Sequence, residues 1–584
     1  MSLLDDASLL VTPNAEKEGK LYSIIPTNGN GDFSVTRATT ATRVNAAGLV
    51  ELVPYNLLTW SEQFNNAAWS KINTTATANT TTAPNGTLTA DSLIPNTTND
   101  QHRADQTPTS TAGVQTFSVY VKAAGYNFVG LRIGLVGSMF NLTNGAASLT
   151  SVGCTASAES VGDGWYRCIL TKTAGATNDV CRINVSDGTG FSANFVGDNV
   201  SGIYVWGAQL VEGTSALDYQ MTETRLNIPR LDYSLGSCPN ILLEPQRTNV
   251  ALRSEEFDNA SWIVNATTIS ANSTTSPSGL NNADTLTADG TSSNHRISQN
   301  ISISATTYSY SIYAKKNTNN FIQINTGNSF GGMWANFDIN NGVVGTLGTT
   351  TGTTPTSSIT NVGNGWYRCN ITFTSTASGN SGTIVCSIVT SASAARAETN
   401  TLSTSVFLWG AQLEAGAYAT SYIPTSSASV TRNADVISRG NIFTNGLITA
   451  SGGTWFIDLR GNVSVTRDTS AGGIFLNTGL NSQSGEGFTL RNIVGGRYSI
   501  NKLVASSNTT LYTLTTDASK IAIKWNGTTA DVFVNGVKVV AATSFTSTSM
   551  QNLIGEGQNR AIQFNSMALF PTAKTDTQCI ALTT

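Results

Sequence analysis

The chain has 584 residues, enough for several domains, with a net charge of −4 and only 12% charged residues. Thr, Ser, Asn and Gly fill that gap, and 10 Trp, 16 Tyr and 21 Phe supply enough apolar bulk to exclude intrinsic disorder. No basic stripe is available to neutralise nucleic-acid phosphates, and no apolar run reaches membrane-spanning length, so neither nucleic acid nor membrane insertion is expected.

Residues 1–55 read as a leader. Leu21-Tyr22-Ser23-Ile24-Ile25-Pro26, a Gly/Asn turn and Phe33-Ser34-Val35-Thr36-Arg37 predict short strands. The start, Met1-Ser2-Leu3-Leu4-Asp5-Asp6, lacks the basic and apolar stretches of a signal peptide. Seven Cys form no zinc spacing, so a cytosolically made chain independent of disulfides is expected.

A duplication follows. Ser61-Glu62-Gln63-Phe64-Asn65-Asn66-Ala67-Ala68-Trp69 returns as Ser254-Glu255-Glu256-Phe257-Asp258-Asn259-Ala260-Ser261-Trp262. His102-Arg103 returns as His295-Arg296, and Ser118-Val119-Tyr120-Val121-Lys122 as Ser311-Ile312-Tyr313-Ala314-Lys315. Gly164-Trp165-Tyr166-Arg167-Cys168 returns as Gly365-Trp366-Tyr367-Arg368-Cys369, and Trp206-Gly207-Ala208-Gln209-Leu210 as Trp409-Gly410-Ala411-Gln412-Leu413. The spacing between copies grows slightly along the chain, as insertions in surface loops would make it. Module one covers residues 56–225 and module two residues 249–437, with a connector at 226–248 stiffened by Pro229, Pro239 and Pro245. Val-Thr-Arg recurs at the boundaries, as Val35-Thr36-Arg37 and Val430-Thr431-Arg432.

Residues 438–584 form a different domain. Its strongest signal is a hairpin, Asp531-Val532-Phe533-Val534, then Asn535-Gly536, then Val537-Lys538-Val539-Val540. Thr575 or Asp576 is placed to cap one terminal helical turn. Elsewhere alternation of period two dominates, as in Ile297, Ile301 and Ile303 against Ser298, Asn300 and Ser302. Regularly spaced strands with turn signals predict an all-β chain of antiparallel sandwiches or jelly rolls.

Alternation also sorts residues onto faces. Tyr367, Cys369, Ile371 and Phe373 share core parity, which sends Trp366 and Arg368 to the opposite face. The same rule turns out Arg103, Tyr120, Lys122, Trp165 and Arg167 in module one, and Arg296, Tyr313 and Lys315 in module two. Rings beside basic groups suit a glycan, whose C–H faces stack on aromatics while its hydroxyls bond charged or planar groups. Covering a module edge, or meeting a neighbouring domain or subunit, is the commoner use of such residues. Trp206 and Trp409 side with Leu210 and Leu413, so both are expected in the core. His102 and His295 read as packed structural residues. Cys168, Cys181, Cys369 and Cys386 fall inward, as buried thiols or, in the other reading, cross-strand disulfides.

Catalysis is not expected. Neither His sits in a nucleophile motif, there is no phosphate loop, and no strand carries alternating acidic residues. No catalytic residue, metal or cofactor is assigned.

The repeated Ser-Glu-x-Phe opening, the Gly-Trp-Tyr-Arg-Cys strand and the Trp-Gly-Ala-Gln-Leu strand resemble jelly-roll carbohydrate-binding-type modules of bacteriophage virion proteins. Leu9-Leu10-Val11-Thr12-Pro13-Asn14-Ala15, Phe33-Ser34-Val35-Thr36-Arg37-Ala38-Thr39-Thr40-Ala41-Thr42-Arg43 and the Leu-Leu-Glu-Pro-Gln-Arg-Thr-Asn stretch ending at Asn249 resemble phage tail or fibre proteins, notably from gut bacteriophages. Trp455-Phe456-Ile457-Asp458, Lys520-Ile521-Ala522-Ile523-Lys524-Trp525-Asn526-Gly527 and the Asn535-Gly536 hairpin resemble concanavalin/laminin-G-like sandwiches. The resemblance implies tandem jelly rolls with a C-terminal concanavalin-like sandwich. It also implies a virion appendage, assembled in the host cytoplasm, joined to other virion proteins through its N-terminal region, adhering to host surface glycan, and trimeric like many fibre proteins. A purely architectural tail or head-fibre component is one alternative. A glycan-depolymerising tailspike is another, since distant carboxylates can meet in space.

Overall fold

The structure is a computed structural model describing residues 3–17, 19–53, 56–110, 113–176, 178–224, 226–375, 380–449, 451–460, 473–479, 485–492, 498–505, 507–516, 519–546, 550–556 and 561–584. The chain divides into two compact units, Val53–Arg225 and Met1–Leu52 with Leu226–Thr584.

Val53–Arg225 is one jelly-roll sandwich of two six-stranded antiparallel sheets. The first, here the tryptophan sheet, runs in the order Cys154–Gly162, Trp165–Gly175, Gly113–Ala124, Gly202–Glu212, Ala90–Pro95, Thr74–Thr81. The second, the histidine sheet, runs Ala147–Ser148, Val136–Asn141, Phe128–Ile133, Cys181–Ser186, His102–Gln106, Ser70–Ile72. Alternate residues of both, among them Phe117, Val119, Val121, Leu131, Ile133, Ile183, Cys168 and Leu210, form one buried cluster. Burying each large apolar side chain contributes about 1.5–3 kcal/mol, which is what holds the sheets face to face.

Module two repeats this order strand for strand. Its tryptophan sheet runs Thr356–Asn361, Trp366–Thr374, Thr307–Lys316, Ser405–Ala415, Ala283–Ala288, Thr267–Thr274. Its histidine sheet runs Val343–Gly348, Trp334–Asp338, Phe321–Thr326, Asn380–Ile388, Arg296–Ile303, Ile263–Asn265. Cys369, Ile371 and Phe373 lie in its core, as their parity requires.

The sequence sets residues 1–55 and 226–248 apart as leader and connector. In the structure both build into the sheet of the C-terminal sandwich. Leu9–Lys17 pairs with Ile562–Phe570, Lys20–Ile25 and Phe33–Thr36 follow, and Phe33–Thr36 pairs with Val436–Arg439. From the connector, Arg230–Asp232 pairs with Asn240–Leu243, which pairs with Ile562–Phe570. Leu9, Val11, Phe33, Val35, Ile241 and Leu243 share one buried cluster with Trp455, Leu476, Trp525 and Phe564. The physical reason is apolar: these short segments expose Leu, Val, Ile and Phe on alternate positions and gain burial only by joining a larger sheet.

In the hairpin at Asn535-Gly536, both turn residues have positive φ, 48° and 78°, as a two-residue turn matching strand twist demands. The helix Asp576–Thr583 is longer than one turn and starts on a capping box between Thr575 and Gln578. No helix of the described residues is long and apolar enough to cross a membrane.

Candidate functional site

The tryptophan sheet gathers most of the candidate residues, but not at an open surface. Cross-strand pairing sets Tyr120 opposite Arg167 and Lys122 opposite Trp165, and likewise Tyr313 opposite Arg368 and Lys315 opposite Trp366. Their parity away from the core is right; the expected exposure is not. Trp165 is 2% exposed and Trp366 1%. Tyr313 and Arg167 are buried, and Tyr120, Arg368, Lys122 and Lys315 are partly so. The chain leaving the last strand of each module folds back over this face. Arg167 lies 5.5 Å from the Tyr120 ring and donates to the Leu217 carbonyl at 2.6 Å; Arg368 lies 5.2 Å from the Tyr313 ring and donates to the Thr420 carbonyl at 2.6 Å. Each guanidinium thus pins the returning segment, and Trp165 and Trp366 lie beneath it with no ring face open to solvent.

The returning segment also inserts an aromatic ring. Tyr219 packs 4.7 Å from Trp206 and bonds Ser61 Oγ at 2.7 Å; Tyr422 packs 4.6 Å from Trp409 and bonds Ser254 Oγ at 2.6 Å. Ser61 and Ser254 open the repeated motif, which explains why the hydroxyl stands there in both copies. Trp206 and Trp409 correct the parity reading. Both are buried, yet they lie in this outer cluster and not with Leu210 and Leu413. The register slips between Ser118 and Tyr120, and between Ser311 and Tyr313. Gly207 and Gly410, each at φ 63°, form the bulge that turns the Trp to the other face.

His102 and His295 are fully buried, and each ring nitrogen faces a backbone carbonyl: Asn73 and Phe195 at 2.6 and 2.9 Å, Ala266 and Asn400 at 2.7 and 3.1 Å. These rings tie loops to a strand and keep no nitrogen for a base or a metal. Among the described residues, no group of three or more His, Cys, Asp or Glu is placed to hold a metal ion. The cysteines are free thiols, and burial pushes the Cys386 thiol up to about 12. Asp91 and Asp284 brace the repeated motif, accepting from the amides of Phe64 and Asn79, and of Phe257 and Asn272. Burial raises both carboxyls, that of Asp284 to about 6.

Arg103 and Arg296 stand elsewhere, on the outer face of the histidine sheet, and both are partly exposed. Around Arg103 the pairing brings Asp105, Arg182 and Arg132; around Arg296 it brings Ser387, Gln323 and Asn325. Trp334, at the same face of module two, is one of the few tryptophans not buried. Loops roof part of each face: Phe191 crosses Gly130 and Gly137, and carbonyls of Ala392, Ala394 and Ala395 take the amides of Asn336 and Gln323. Arg132, Arg182, Asp105 and Trp334 were missed in the sequence. Their outward parity is readable strand by strand, but their adjacency depends on strand order.

A second polar assembly lies within Met1–Leu52 and Leu226–Thr584. Arg37, Arg230 and Arg432 meet Glu244 and Asp435, all five side chains buried. Arg37 bonds Asp435 at 2.7 Å, Arg230 bonds Glu244 at 2.7 Å and also Asp435, and Arg432 lies 2.8 Å from Glu244. The repeated Val-Thr-Arg thus delivers two arginines to one acidic pair, clasping leader, connector and the end of module two.

Fold and strand order define a class: an all-β chain of tandem antiparallel jelly-roll sandwiches with a further C-terminal sandwich. No protein-family model matches the sequence, and no curated protein does. Among solved structures it is similar to the N-terminal CBM22-1–CBM22-2 tandem domain of Xyn10C from Paenibacillus barcinonensis, at 11% identity and a TM-score of 0.20, covering 62% of this chain and 97% of that one.

Proposed function

We propose that the chain is a bacteriophage virion appendage of fibre or tail type that adheres to host-surface glycans without cleaving them. The observation that carries the reading is the set of partly exposed groups on the outer face of the histidine sheet, Arg103, Arg132 and Arg182 in module one and Arg296 and Trp334 in module two. Guanidinium groups there, with the Trp334 indole in module two, suit sugar hydroxyls and C–H faces. Two linked copies convert the second contact into an intramolecular one and multiply weak affinity. The non-catalytic part is supported by the histidines, whose nitrogens are all directed at carbonyls.

Attachment to other virion proteins through the N-terminal region would use strands already built into the C-terminal sandwich, not a free arm. A homotrimer follows from the likeness to fibre proteins, from closed cyclic symmetry and from a weakly charged surface whose burial desolvates few ions. Light scattering should give three chains per particle at micromolar concentration; a stable monomer there counts against it.

The decisive experiment incubates the purified full-length chain with host cells and host polysaccharide. Saturable binding without release of reducing ends is expected. Release of reducing ends would make it a depolymerising tailspike. Absence of binding, with the protein located on particles by electron microscopy, would leave the architectural reading, which the burial of Trp165 and Trp366 favours.

A further inference from the structure

The two histidine sheets carry different chemistry at the same positions. One row across module one reads Gly137, Arg132, Arg182, Asp105, Ser70. The matching row of module two reads Trp334, Asn325, Val385, Ser298, Ile263. Duplication has left this row charged in module one and uncharged in module two.

The cationic face is poorly compensated. Arg132 and Arg182 stand directly opposite each other on adjacent strands, a like-charge pairing that destabilises a sheet. A single carboxylate, Asp105, serves Arg103 at 3.0 Å and Arg182 at 3.3 Å. Among the described residues Arg132 bonds only neutral groups, Ser192 Oγ at 3.1 Å and the Gly134 carbonyl at 3.3 Å, and its buried Nε has no partner there. Asp179, beside Gly134, is held by Lys172. The Arg132 guanidinium lies 5.9 Å from the Phe191 ring. Burial and the charges of Arg182 and Arg103 press the Arg132 pKa down. Yet the side chains of Arg103 and Arg182 keep 22% and 21% exposure, so the fork-shaped donors are within reach of a ligand. In a chain with so few charges, this leaves two cations in surplus on one small, partly exposed face.

Resting on the glycan-adhesion reading, we propose that the histidine-sheet face of module one, built on Arg103, Arg132 and Arg182, binds the oxyanion of an acidic glycan. Planar guanidinium pairs engage such groups in parallel hydrogen bonds, and a carboxylate matches their geometry.

The test uses the full-length chain and calorimetry with polygalacturonate, its methyl ester, dextran sulfate, a panel of neutral polysaccharides and a single-stranded oligonucleotide. Polygalacturonate should bind, its methyl ester at least tenfold more weakly, and affinity should fall with added salt. Arg132→Gln and Arg182→Gln should each weaken polygalacturonate binding at least tenfold, while melting temperature holds or rises because repulsion is relieved. Arg182→Lys should keep the fold and still weaken binding. Dextran sulfate binding as well as polygalacturonate makes the site a general oxyanion site, and its exclusion makes it carboxylate-selective. Equal binding of acid and methyl ester, unchanged binding in folded variants, or an equally tight oligonucleotide would overturn the proposal. Binding of neutral polymers but not the acid one overturns it and leaves glycan adhesion standing. Binding of nothing in the panel and of no host cells overturns both.

Discussion

Arg37 and Asp435 stand 398 residues apart in the chain and meet at 2.7 Å with neither side chain exposed to solvent. Asp435 also receives Arg230 and the backbone amide of Glu244, so it is the acceptor on which leader, connector and module two converge. Removing its charge leaves two buried guanidinium groups short of a partner. Asp435→Asn should therefore destabilise by about 3–5 kcal/mol. Chemical denaturation of full-length protein measures this, and a loss below about 1 kcal/mol would show that the clasp is not what joins these segments.

The same carboxylates set the response to acid. Burial alone would raise Glu244 and Asp435, but Arg432 and Arg230 hold Glu244, and Arg230 and Arg37 hold Asp435, below the ordinary range. A depressed folded pKa gives stability that is complete above the unfolded value of about 4 and is lost as pH falls through the folded value. Melting temperature should fall steeply below about pH 4, and Asp435→Asn should flatten that fall.

Asp284 acts in the opposite sense at higher pH. Its carboxyl is raised to about 6 by burial, against an ordinary value of 3.8. A raised folded pKa gives stability that is complete below 3.8 and is lost as pH rises through about 6. Module two should lose stability between those values, and Asp284→Asn should abolish that slope. A slope that survives in the variant would place the titration elsewhere.

The outer aromatic clusters should register in stability and not in adhesion. Tyr422→Phe removes buried hydrogen bonds to Ser254 and Glu255 and should cost about 1–3 kcal/mol. Trp366→Ala leaves a cavity beside Tyr313 and Trp409 and should cost about 3–5 kcal/mol. Binding to host cells per folded molecule should be unchanged in both. Weaker binding by a fully folded Tyr422→Phe chain would return this face to the binding site.

Much of this architecture was legible in the residues. Repeated motifs fixed two modules of equal strand order, Asn535-Gly536 marked its hairpin, and Thr575 with Gln578 marked a helix start. What was hidden depends on long-range pairing. Leu9–Lys17 and Phe33–Thr36 carry alternation but no sign that their partners are Ile562–Phe570 and Val436–Arg439. Arg132 and Arg182 become neighbours only once their strands are ordered. Trp206 and Trp409 were misassigned because one extra residue at a glycine reverses every parity beyond it.

That bulge gives a prediction with an internal control. Gly410 sits at φ 63°, and a Cβ there would come within 2.8 Å of Tyr313 Cδ2 and 3.3 Å of Tyr422 Cε2. Gly363 also has positive φ, 89°, but a Cβ there meets nothing within 4 Å. Alanine at either position carries the backbone cost of a left-handed conformation, about 1–2 kcal/mol. Only at Gly410 must Tyr313 and Tyr422 also move, and both are buried against Trp409. Gly410→Ala should therefore destabilise module two by about 1–3 kcal/mol more than Gly363→Ala, as overpacking does in other cores. Thermal unfolding of the two variants side by side reads the difference. Equal losses would mean that the bulge serves backbone geometry alone and that the Tyr313–Trp409–Tyr422 cluster has room to give.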